Sequence, residues 1–187
     1  MNIFVLHKDP VVAAQMQCDK HVVKMIVESA QMLSTAHRML DGTVQIAPSK
    51  SGKRMVKHYR LFDDPEMDNL LYKAVHHTHP CTVWTMESDS NYRWHWQHLD
   101  ALCNEYNYRY GKVHATSLLR SPLWSLPHNI PTGKLTPFKL AMKSNPECIF
   151  NDAVKSYRAF YQTKQDRFKM AWTKRPMPYW FESKEAV

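Results

Sequence analysis

Glycine is scarce in this chain, with 4 residues among 187. No G-x-G-x-x-G and no G-x-x-x-x-G-K-S/T occurs, which argues against the glycine-rich phosphate cradles of nucleotide-fold enzymes. The four cysteines, Cys18, Cys81, Cys103 and Cys148, are widely spaced, with no C-x-x-C pair. That pattern reads as reduced thiols and not as a zinc site or disulfide frame. No apolar run is long enough to span a membrane, and the opening MNIFVL lacks the charged start and length of a signal peptide. A cytoplasmic protein without membrane contact is expected. Internal repeats and low-complexity stretches are absent, and the alternating pattern of β-strands is nearly so. The expected architecture is therefore all-α: one compact helical domain over residues 1–187.

What is present begins with residues 9–42, DPVVAAQMQCDKHVVKMIVESAQMLSTAHRMLDG. Asp9-Pro10 is a helix start, since the carboxylate can cap free N–H groups and proline fits the first turn. Asp41-Gly42 is a stop. With no glycine or proline between them, one central helix of about 30 residues and roughly 45 Å is expected. Gln17, His21, Lys24, Glu28, Gln31, Thr35 and Arg38 recur at spacings of four and three and form one narrow polar stripe. Most of the remaining circumference is apolar, which suits a helix packed on most sides. The stripe is then either the solvated face or the floor of a polar cleft. In a cleft, His21, Lys24 and Glu28 suit acid–base or Schiff-base chemistry.

The net charge is +8, with 6 Trp, 9 Tyr and 7 Phe. Cations neutralise phosphates and rings stack on exposed bases, so nucleic acid is the candidate partner. Residues 1–6 fit one extended strand laid on the core. Residues 43–60 read as a mobile basic loop with Lys50, Lys53, Arg54, Lys57, His58 and Arg60. Asp64-Pro65 starts a helix to about residue 77 that would pack Met67, Leu70, Leu71 and Ala74. His76, His77 and His79 at its end are not spaced as a metal motif, and no metal or other cofactor is expected. A short helix at 81–86 precedes a longer one at 90–110, capped by Ser88 or Asp89 and stopped by Gly111. Asn91, Arg93 and Trp94 mix amide, cation and ring as a base-binding surface would, with core packing as the alternative. A short helix is expected at 113–126, a proline-rich irregular connection at 127–149, and a last helix from Asn151 or Asp152 to about 164. The ending, residues 168–184, interleaves Lys169, Lys174 and Arg175 with Trp172, Tyr179, Trp180 and Phe181.

Two resemblances arise. MNIFVLHKDP…CDKHVVKMIVESAQMLSTAHR, SNYRW…YRYGKVH and the terminal KRP…YW look like a tailed-phage protein family without an assigned activity. More distantly, Asp19-Lys20-His21 with Glu28 seven residues later, and Arg175-Pro176 before Tyr179-Trp180, resemble the phage pyrimidine-dimer DNA glycosylase/abasic-site lyase family. That likeness implies an all-helical fold, a location in the infected bacterial host, and double-stranded DNA as partner, with an extruded or unstacked base. It also implies an amine nucleophile beside a catalytic Glu28. Asn2 disfavours removal of Met1, so the amine would be that of Met1 or of Lys24. Val27 and Gln31 stand where that family has arginines. The candidate catalytic residues are thus Glu28, His21, Lys24 and Met1. The candidate DNA contacts are Gln31, Arg38, Lys53, Arg54, Lys57, Asn91, Arg93, Trp94, Arg175, Tyr179 and Trp180. The activity expected is an N-glycosylase with β-lyase action on damaged or modified pyrimidines. Its alternatives are a group transferase on modified pyrimidines, with Lys24 and Arg38 on phosphate, and a non-catalytic factor binding nucleic acid or a host protein.

Overall fold

Asp9 caps a helix as expected: its Oδ1 accepts from the backbone N–H groups of Val11 at 2.8 Å and Val12 at 3.1 Å. In the computed structural model, which describes residues 1–49 and 51–184, that helix is α1, Pro10–Gln15. The expected continuous helix is interrupted, and α2 runs from Asp19 to Asp41. The break has a tertiary cause. Cys18 turns extended and gives its N–H to the Tyr161 hydroxyl at 2.9 Å, while the Asp19 N–H goes to the Ala171 carbonyl at 2.8 Å. Distant partners satisfy groups that a continuous helix would have bonded internally.

The all-α expectation is corrected by an antiparallel hairpin, β1 (Thr43–Pro48) and β2 (Met55–Arg60), paired from Thr43↔Arg60 to Pro48↔Met55. The fold is helix-dominated but mixed. The basic segment 43–60 is this hairpin and not a mobile loop. Its turn closes with the Ser49 N–H on the Arg54 carbonyl and Gly52 at φ +71°, a conformation that glycine adopts without strain. Lys50 lies outside the described residues.

Beyond the hairpin, α3 is Pro65–Leu70, shorter than expected, and 71–79 continues as irregular chain. Of the residues expected to pack there, Leu71 is buried but Leu70 is exposed. The helix α4 is Pro80–Met86, capped by His79, whose Nδ1 accepts from the Cys81 N–H. The long α5, Asp89–Tyr110, begins at Ser88 and stops at Gly111 with φ +64°. The expected helix at 113–126 is two 3₁₀ turns, Ala115–Leu119 and Pro122–Trp124. The last helix, α6, is Ala153–Gln162 with Asp152 as its cap, followed by a 3₁₀ turn, Thr163–Asp166.

One contiguous core joins α1, α2, α4, α5 and α6. Residues 1–6 are not a strand. Ile3, Phe4, Val5 and Leu6 are buried, and Phe4 takes φ +53° with the Leu6 N–H on its own carbonyl. Asn2 holds this segment: its Oδ1 accepts from the Phe4 N–H at 2.9 Å and its amide donates to the Ala141 carbonyl at 3.1 Å. Among the described residues no helix is long and apolar enough to cross a membrane.

Candidate active site

The polar stripe of α2 is neither a solvated face nor an open cleft along its length. It is covered at both ends and open in the middle.

Gln17, expected on the stripe, lies in the break before α2 and is buried, donating to the Ile3 carbonyl at 3.2 Å and meeting His98 at 3.1 Å. His21 is buried beneath Phe4, ring centroids 4.6 Å apart. Its Nδ1 lies 2.7 Å from the Tyr161 hydroxyl, which also accepts the Cys18 N–H. The Tyr161 hydroxyl thus ties His21 to the start of α2. Burial, reinforced by the Lys24 and Lys164 cations, pushes the imidazole down to about 3. His21 stands about 10 Å along the helix from Glu28 and shapes the N-terminal segment.

At the C-terminal end, Arg38 is buried and every donor of its guanidinium is used. Nε reaches the Tyr72 carbonyl, Nη1 the Tyr59 carbonyl and Asp68 Oδ1, and Nη2 the Asp68 and Leu71 carbonyls, all between 2.6 and 2.9 Å. Thr35 meets Val75 through both its hydroxyl and the Val75 N–H. The segment 71–75 thus lies along the end of the stripe. Arg38 is a structural residue, not a phosphate contact, and no Lys24/Arg38 phosphate pair is assembled.

Between these covers Lys24, Glu28 and Gln31 reach the surface. Glu28 is 13% exposed, and its two oxygens face different groups. Oε2 accepts the Asn2 N–H at 2.9 Å and lies 3.9 Å from the Met1 α-amine. Oε1 lies 3.2 Å from Lys24 Nζ, one turn back on the helix, with Lys24 65% exposed. The order of the N-terminal segment imposed by Asn2 is what delivers the α-amine to the carboxylate. His79 borders the same place. Burial, with the α-amine and His76 nearby, lowers its imidazole below the ordinary value. Cys81 is close, but burial pushes its thiol up to about 11, so it is not a thiolate nucleophile. Among the described residues no three His, Cys, Asp or Glu side chains cluster as a metal site.

Lys164 was not marked by the sequence. It is buried, with Nζ 3.3 Å from the Phe160 ring centre, and burial with Arg167 nearby lowers its amine to about 8. It interacts electrostatically with Lys24 and His21. No periodic or motif signal identifies a lysine desolvated by tertiary packing.

The remaining candidates divide by exposure. Asn91 is buried and pins the proline-rich connection to α5, donating to the Trp84 carbonyl and Thr136 Oγ1 and accepting the Thr136 N–H. Trp94 is buried, its indole N–H on the Lys8 carbonyl and its ring against Trp84 and Phe138. Both are core residues and not a base-binding surface. Arg175 is engaged by the buried Glu105, which also holds Arg109. Asp19 accepts from Arg109 and from the backbone and hydroxyl of Thr173. The Asp-x-His aspartate thereby docks the tail onto the start of α2. Lys53, Arg54, Lys57 and Arg93 are exposed, with Arg93 set over Trp124. Trp180 is half-buried, whereas Tyr179 is 83% exposed with Arg158 against its ring.

Comparison of the chain with family models, with curated proteins and with solved structures finds no match.

Proposed function

We propose that the protein is a DNA-binding enzyme acting on damaged or modified pyrimidines, an N-glycosylase with β-lyase activity. The supporting observation is the placement of two amines, that of Met1 and that of Lys24, on opposite oxygens of Glu28 in the one open part of the α2 stripe. Either amine can serve as the nucleophile. The unprotonated amine attacks C1′ of the target nucleotide. An N–C1′ bond forms, the bond to the base breaks, and its electron pair leaves with the base, which takes up a proton. One N–H proton then passes to Glu28, and the nitrogen lone pair opens the C1′–O4′ bond while O4′ takes that proton from Glu28, giving a protonated Schiff base. Loss of a C2′ proton expels the 3′ phosphate, and water hydrolyses the C=N bond to restore the amine. Glu28 stabilises the cationic sugar and moves these protons. The chain's own groups supply all of this chemistry, without a cofactor. Lys53, Arg54, Lys57 and Arg93 supply phosphate contacts, and Tyr179 a stacking ring.

The test is borohydride trapping with labelled oligonucleotides carrying an abasic site, uracil, hydroxymethyluracil or ultraviolet-irradiated thymines. A covalent adduct with at least one of them is expected. Tight, salt-sensitive binding with no adduct on any would overturn the lyase and leave a group transferase or a binder.

A further inference from the structure

We propose that the β1–β2 hairpin is a ribbon that enters the major groove of duplex DNA beside the Glu28 site and contacts thymine C5-methyl groups with its outer apolar face. The proposal rests on the DNA reading given above.

Pairing of Val44 with Tyr59, Ile46 with Lys57 and Pro48 with Met55 puts these six side chains on one face of the hairpin. Val44, Ile46 and Met55 are 50, 63 and 60% exposed. Apolar side chains gathered at the surface in this way mark a contact site. The charge around them selects the partner. No acidic residue occurs between Thr43 and Arg60, and Lys53, Arg54 and Lys57 lie on the turn and second strand, while Arg60 is paired with Asp68. The opposite face, with Gln45, Val56 and His58, borders a groove of about 710 Å³ that Arg60 and Lys73 also line. An apolar strip framed by cations complements a polyanion with apolar groups on its inner edges. Duplex DNA has these in the thymine methyls of its major groove.

The dimensions agree. Strands of six residues extend about 20 Å at roughly 3.3 Å per residue. A two-stranded ribbon fits a major groove about 12 Å wide and not a minor groove about 6 Å wide. The base of the hairpin is fixed by Arg38 on the Tyr59 carbonyl and by Asp68 on Arg60. Arg38 follows Glu28 by ten residues on α2, or about 15 Å. That is four to five base-pair steps at about 3.4 Å each, a separation that one duplex spans.

The experiment measures binding of the Glu28→Gln protein to duplexes carrying a reduced abasic site, flanked by thymines or by uracils in their place. Uracil flanks should weaken binding about fourfold for each buried methyl group they remove. The Ile46→Ser/Met55→Ser variant should bind both duplexes equally, at the level of the uracil duplex. Both side chains are exposed, so its thermal melt should match the parent. A minor-groove ligand such as distamycin should not displace the protein. Equal binding of the two duplexes by the Glu28→Gln protein, discrimination retained by the double variant, or displacement by distamycin each overturns the proposal. Borohydride trapping of the wild type is the separate readout of the Glu28 site. An adduct without thymine discrimination removes the hairpin role alone, and discrimination without an adduct removes the lyase alone.

Discussion

At the end of α2 the polar stripe is sealed. Arg38 places five donors on Asp68 and on the carbonyls of Tyr59, Asp68, Tyr72 and Leu71, with 5% of its side chain exposed. Ten residues earlier, on the same face of the same helix, Glu28 holds two amines at its two oxygens beside solvent. Both residues are charged and both sit in ion pairs. They differ in what the rest of the chain lays over them. Segment 71–75 supplies carbonyls that complete Arg38, whereas Met1 and Asn2 bring Glu28 an amine and an amide and stop there. A buried charge with every partner in place serves the fold. A carboxylate between two amines at an opening is what the proposed proton transfers use.

The contrast is tested most strongly by Glu28→Gln. The substitution keeps the shape and removes the charge, so cleavage of abasic DNA should fall by about 10²–10⁴-fold, with the thermal midpoint changed by only a few degrees. Equal loss of activity and stability would make Glu28 another structural residue. Arg38→Met should do the reverse. Four carbonyls lose their partner inside the protein and Asp68 loses one of its two arginines, at a cost of about 3–5 kcal/mol in urea denaturation. A loss below about 1 kcal/mol would show that the sealed end is not sealed.

Acid should strike the covered regions first. Burial holds His21 and His95 at about 3 and His37 and His98 at about 4. Below about pH 6.5 the unfolded chain takes up a proton on each that the folded protein refuses. Their contribution is complete above that pH and is lost as pH falls toward 4 and then 3. Each histidine should remove about 1.4 kcal/mol per pH unit within this window. Thermal melts from pH 7 to 4.5 should show a steep decline, and His98→Gln should make it shallower by one proton. A flat profile would mean that these rings are not held neutral. The smallest effect on the fold is expected for Tyr179→Ala at the exposed tail, within about 0.5 kcal/mol. Titration of single-stranded DNA should nonetheless show at least a fivefold loss of affinity if the ring stacks on a base.

Local signals in the sequence translated well. Ser88, Gly111, Asp9 and Asp152 cap helices where their side chains or backbone freedom place them, because capping involves neighbours a few residues away. The break before α2 was not legible. It depends on Tyr161 and Ala171, far along the chain, and no glycine or proline announces it. The hairpin was hidden by the Lys, Ser and Gly residues of its turn, although Val44, Ile46, Val56 and Tyr59 carry ordinary strand propensity. Periodicity located the α2 stripe at the right angle on the helix but could not say which parts other segments cover. For that reason Arg38 and Asn91 resembled ligand contacts although other segments cover them, whereas Glu28, with the Met1 and Lys24 amines at its oxygens, stays near the surface. Lys164 became visible only once folding had desolvated it.

The most direct measurement is to trap the protein on abasic DNA with borohydride, digest it, and locate the modified amine by mass spectrometry. An adduct on the Met1 or Lys24 amine, abolished in Glu28→Gln, is the predicted result. No adduct, or one confined to a lysine remote from Glu28, would contradict the assignment of the open middle of α2 as the active site.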